Sequence, residues 1–122
     1  MKQKIVGSYG MGWDQCQIVL REGDGGEFWL IPEMGSIPRI KVGADDSWEN
    51  IVGVLCHELL ELIFVMQRVR FERTNITGMG HDGYVFMFDH NQFSDAVMRL
   101  GNLVSICLPD VHKVWKNFNK KK

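Results

Sequence analysis

Residues 54–64 read VLCHELLELIF. One histidine, His57, and two glutamates, Glu58 and Glu61, interrupt a run that is otherwise apolar. Ionisable groups in such surroundings are costly unless a partner side chain, a metal ion or an open cleft compensates them. Reading outward, apolar residues recur at 48, 52, 55, 59, 62, 66 and 69, the spacing of one helix face. Ile51, Val54, Phe64 and Val65 widen the stripe until the helix is apolar nearly all round, which places it at the centre of the fold. No proline, and no glycine other than Gly53, breaks residues 48–71, so a single long helix is expected there. Residues 44–47 (ADDS) signal its start, and Asp46 with Glu49 has capping-box spacing. The basic stretch 67–73 is expected where the helix emerges into solvent.

Ahead of the helix the period is that of strands. Residues 15–21 (QCQIVLR) and 27–31 (EFWLI) flank the turn signal EGDGG, and their short spacing predicts a hairpin. Residues 38–42 (PRIKV) alternate apolar with basic side chains and form a third expected strand. Beyond the helix, residues 74–83 (TNITGMGHDG) read as a glycine loop, and 84–88 (YVFMF) have strand composition, with a helical turn as the alternative. Asp89 can cap a further helix, with Gln92 at its third position. That helix is expected to end at Pro109, and a short last helix to occupy 110–118. The expected fold class is α+β: a small antiparallel or mixed sheet packed on a long central helix, followed by two C-terminal helices, in one domain over residues 1–122. The final stretch 116–122 (KNFNKKK) reads as a flexible basic tail.

Hydrophobic residues make up 45% and charged residues 24% of the chain, and the formal charge is −1. That balance fits a globular protein and provides no global attraction to nucleic acid. Cys16, Cys56 and Cys107 are far apart and form no CxxC pair, which argues against a cysteine zinc site or a disulfide framework and for a reducing compartment; Cys56 and Cys107, among aliphatic residues, are expected to be buried. The stretch MKQKIVGSYGMGWDQ has no signal-peptide apolar region, and no apolar run reaches membrane-spanning length, so a cytoplasmic protein is expected. Gly7, Gly10 and Gly12 lack the strand that precedes a nucleotide-binding loop, and the serines lack a nucleophile-elbow context. Trp13, Phe28, Trp29 and Trp48 are assigned to core and cleft lining.

His57 and Glu61, four residues apart, project from one side of a helix and can grip one metal ion. Glu58 is offset from His57 by about 100° of helical rotation. Together they make the H-E-x-x-H pattern with glutamate in place of the second histidine, and in that geometry Glu58 is the general base. A third ligand must come from elsewhere. His81, in the glycine loop, and His90, before the next helix, are the candidates; Asp82 and Asp89 adjoin them as alternative or supporting groups. His112, beside Lys113 and Lys116, reads as a surface residue. His57 and Glu61 with His81 or His90 supply the nitrogen and oxygen ligands zinc accepts, with one position open. Two other readings of the same residues stay open: a solvated polar stripe with an ordinary His57–Glu61 hydrogen bond, and a buried histidine–carboxylate network.

A strand, then VLCHELLE, then a downstream histidine resembles the minimal core of zincin-type metallopeptidases, over roughly residues 27 to 100. The segment HDGYVFMFDHNQFSDA is also similar to small phage-encoded proteins carrying an H-E-x-x-E helix. The zincin resemblance implies that His57 is a zinc ligand, that Glu58 is the general base, that Glu61 takes the second ligand's place, and that a peptide substrate lies as an added strand along PRIKV. The glutamate departs from the zincin pattern, and a carboxylate ligand lowers the positive charge at the metal. Two functions follow as expectations: a small zinc-dependent peptidase-like hydrolase, or a non-catalytic phage-type protein that keeps the core and binds and inhibits a host protein.

Overall fold

A computed structural model describes residues 2–11, 14–30, 37–72 and 84–120. Four strands, β1 (Gln3–Met11), β2 (Asp14–Arg21), β3 (Gly26–Trp29) and β4 (Arg39–Gly43), form one sheet in the order β1-β2-β4-β3. Helix α1 (Trp48–Met66) follows, then a two-stranded sheet of β5 (Arg70–Glu72) and β6 (Tyr84–Phe86), then helix α2 (His90–Lys120). The class is α+β, as expected. Helix α1 packs over β4 and β3, while α2 packs over β1 and β2 and against α1.

The expected hairpin between β2 and β3 does not form. β2 pairs antiparallel with β1 and parallel with β4, and β3 pairs antiparallel with β4. The reason lies in the turn. Gly23 (φ 90°) and Gly25 (φ 70°) bend residues 22–25 into a wide loop, and the end of β4 inserts into it. Gly43 N–H donates to the Gly25 carbonyl at 2.7 Å, and Asp45 N–H to the Gly23 carbonyl at 2.9 Å. Ile18, Leu20, Ile40 and Val42, all fully buried, make β2 and β4 the apolar centre of the sheet. PRIKV is therefore a central strand with both edges paired, and it has no edge on which a peptide can add.

Helix α1 buries Ile51, Leu55, Glu58, Leu59, Leu62 and Ile63, the i, i+4, i+7, i+8 pattern that the sequence displays. Its N-cap is Ser47, one residue later than capping-box spacing implied: Ser47 Oγ accepts from Asn50 N–H at 3.3 Å, while Asp46 Oδ1 accepts from Ser47 N–H. The helix ends at Met66, five residues before the expected limit. Arg68 adopts the left-handed conformation (φ 62°), its N–H donates to the Val65 carbonyl, and Val69 N–H donates to the Phe64 carbonyl. This is a Schellman ending with arginine where glycine is usual, so no stop signal was visible in the composition. Buried Val69 anchors it (2% exposed).

Beyond β6, Asp89 and Gln92 form the expected reciprocal cap: Gln92 N–H donates to Asp89 Oδ1 at 2.8 Å, and Asp89 N–H to Gln92 Oε1 at 2.9 Å. The two expected C-terminal helices are one. α2 runs through Pro109 and is helical as far as Lys120, within the stretch read as a basic tail. Ala96, Leu103, Cys107, Val111 and Phe118 stay buried along one continuous stripe, so stopping at Pro109 would forfeit the burial of Val111 and Phe118. Pro109 itself is exposed, where water can satisfy the carbonyl it leaves without a partner. Replacing it tests this account. Pro109→Ala restores the helical N–H and is expected to stabilise the protein by up to about 3 kcal/mol, read as a higher melting temperature.

The cysteines are free. Burial pushes the Cys16 thiol up to about 12 and Cys107 up to about 11, which suits inert core thiols rather than nucleophiles. Among the described residues, no helix is long and apolar enough to cross a membrane.

Candidate metal centre

The i, i+4 spacing on α1 does bring His57 and Glu61 together. His57 Nε2 lies 3.1 Å from Glu61 Oε2. Glu58 joins them, and one ligand atom from each of the three residues lies within 4.8 Å of the others. The three side chains sit in different environments. His57 is 69% exposed and Glu61 19%, whereas Glu58, at 7%, is the buried charged residue among those described. Burial raises the Glu58 carboxyl above its ordinary value, with the Glu61 and Glu27 charges adding to the shift and the charges of His57 and Arg70 opposing it.

Room for Glu58 comes from β3. A Cβ built on Gly26 would stand 2.5 Å from Val54 Cγ1 and 3.0 Å from Glu58 Cγ, so the edge strand rests directly on the helix at this point. Gly26→Ala is therefore expected to push strand and helix apart and destabilise the protein by about 1–3 kcal/mol, measured by thermal melting.

The three residues line a groove of about 1040 Å³ between α1, β3 and the β5–β6 sheet. Phe28, Trp29, Phe64 and Phe86 supply much of its apolar wall. His57 and Glu58 also border a second hollow, of about 540 Å³, whose rim carries Asp46 and Glu49. β3 has β4 on one side and no strand on its other edge among the described residues, and that strand lines the groove.

Arg70 is the residue that sequence reasoning missed. It had been counted in the basic end of the helix, but the Schellman ending turns it back on β5 beside Glu61, with Nη2 3.7 Å from Glu61 Oε1. Its guanidinium lies 3.6 Å from the Tyr84 ring centroid and 5.3 Å from that of Phe28. Among the described residues, its buried Nε has no hydrogen-bond partner. The alternation in RVRFE, apolar Val69 and Phe71 between polar neighbours, was the available signal for a strand.

The downstream histidines are placed differently from one another. His81, with Asp82, lies outside the described residues. His90 opens α2, is exposed, and is not part of the cluster of three. Asp89 is committed to the α2 cap. His112, expected at the surface, is half-buried, its ring centroid 4.5 Å from Trp48 and 5.7 Å from Trp115.

No family model, curated protein or solved structure matches this chain.

Chemically, the cluster offers one imidazole and two carboxylates on the wall of an open groove, a donor set that divalent zinc accepts. The donors belong to one helix, so the spacing of their backbone positions is set before any ion arrives. The buried carboxyl of Glu58 beside them, raised above its ordinary value by burial, has the character of an acid–base group.

Proposed function

We propose that the protein is a metal-binding, zincin-like protein acting as a small zinc-dependent hydrolase. His57 and Glu61 would hold the ion, joined by a histidine from beyond α1, for which His81 and His90 remain the candidates. Zinc, when bound, would polarise a substrate carbonyl and make water a better nucleophile. The observation that carries the reading is the convergence of His57, Glu58 and Glu61 within 4.8 Å on an open groove.

The chain's own residues have distinct tasks in this reading. Glu58 takes a proton from the attacking water and returns it to the leaving group; a carboxyl raised by burial is better matched to such transfers near neutral pH than a solvated one. β3 replaces PRIKV as the strand along which an extended peptide would lie, because among the described residues β3 has an unpaired edge and β4 does not.

A second reading is a non-catalytic protein that binds another protein. The aromatic ladder next to the groove favours it: Phe64 stacks on Phe88 at 5.1 Å, Phe88 on Phe93 at 6.0 Å, and Phe86, Phe88 and Phe93 are all exposed. Metal analysis of the purified protein followed by hydrolysis of a mixed peptide substrate separates the two. Stoichiometric zinc with turnover supports the hydrolase. Zinc without turnover supports the binding protein, and absence of zinc uptake overturns the metal reading.

A further inference from the structure

Arg70 occupies an unusual position for an arginine. Its side chain is 16% exposed, its Nε is buried without a hydrogen-bond partner among the described residues, and its guanidinium lies against two aromatic rings. Much of its solvation has thus been exchanged for contact with the rings. That orientation brings Nη2 to 3.7 Å from Glu61 Oε1, longer than a hydrogen bond but within ion-pair range. The other oxygen of the same carboxylate, Oε2, faces His57 Nε2 at 3.1 Å. The two oxygens of Glu61 are therefore divided between two neighbours.

We propose that Arg70 is a positioning residue of the metal centre, holding Glu61 Oε1 so that Oε2 alone is presented beside His57. The proposal rests on the metal reading above. A free glutamate on a helix surface samples many rotamers, and fixing it on metal binding costs conformational entropy. A carboxylate already oriented by a neighbour avoids that cost, as supporting groups around metal ligands generally do. Tyr84 from β6 and Phe28 from β3 flank the guanidinium and limit its movement. This arrangement also gives the small β5–β6 sheet a task, since that sheet brings both Arg70 and Tyr84 to the groove.

The test exploits a difference in sign. By Coulomb's law, removing a cation near a metal site should tighten metal binding; removing a positioning residue should loosen it. The metal-free full chain is titrated with zinc against a chromophoric chelator as wild type, Arg70→Gln and Arg70→Lys, each with and without Glu61→His. Arg70→Gln is expected to weaken zinc binding by about 10–100-fold, the usual range for loss of such support. Arg70→Lys keeps the charge but not the clamped plane, and should fall between. With Glu61→His there is no carboxylate to orient, and Arg70→Gln should no longer weaken binding. Unchanged or tighter binding in Arg70→Gln overturns the proposal, as does an equal loss in the Glu61→His background. Should Arg70→Gln fail to fold, the Arg70→Lys pair carries the same comparison. A wild-type chain that takes up no zinc overturns the metal reading and this proposal together, whereas zinc-binding wild type with indifferent Arg70 variants removes only the role of Arg70.

Discussion

Zinc at one hundred times its dissociation constant is expected to raise the melting temperature of the metal-free protein by about 10 °C, and His57→Ala to abolish the rise. A ligand bound only by the folded state stabilises it by mass action, about 2.7 kcal/mol at that ratio. For a chain of 122 residues each kcal/mol moves the melting temperature by about 4 °C. His57 suits the experiment because its side chain is 69% exposed. Its truncation removes a metal donor and little packing, so the metal-free variant should melt within about 0.5 kcal/mol of the metal-free wild type. Scanning calorimetry with zinc and then with chelator measures both effects. A wild-type melting curve that ignores zinc and chelator alike sinks the metal centre.

Glu58→Gln is expected to act in two opposite directions. Any hydrolytic rate should fall by about 10²–10⁴-fold, the usual cost of losing a positioned acid–base group, with zinc content intact. A non-catalytic binding protein would lose nothing. Stability should move the other way. Burial raises the Glu58 carboxyl in the folded state above its unfolded value of about 4.5. Such a group favours folding fully only below the unfolded value, and that contribution is lost as pH rises through the folded value. At pH 7, above the unfolded value, the metal-free wild type therefore bears a cost for burying this carboxyl, and glutamine of the same size does not. Metal-free Glu58→Gln should melt higher than metal-free wild type at pH 7, with the difference closing as the pH falls below about 4.5. A lower melting temperature at neutral pH would show instead that the Glu58 charge is held by a stabilising partner.

Local information carried much of this fold. The 3.6-residue recurrence of Ile51, Leu55, Leu59 and Leu62 made α1 legible, because one face of one helix had to be buried whatever it packed against. The same periodicity placed His57, Glu58 and Glu61 together, since residues three and four apart on a helix are neighbours by construction. The reciprocal Asp89–Gln92 cap was legible for the same reason: both partners lie within four residues. What could not be read was settled by contacts between distant segments. The insertion of β4 between β2 and β3 depends on a backbone approach of Gly43 to the turn at Gly23 and Asp24, nearly twenty residues away. α2 continues through Pro109 because burying Val111 and Phe118 outweighs one missing hydrogen bond. Arg68 takes a left-handed conformation without glycine because Val69 is buried beyond it, and that reversal alone returns Arg70 to Glu61. The sequence by itself determined the helix and the three groups it presents. The groove they face, the strand that borders it and the arginine beside them depend on packing energies summed over the whole chain, which no short stretch of residues encodes.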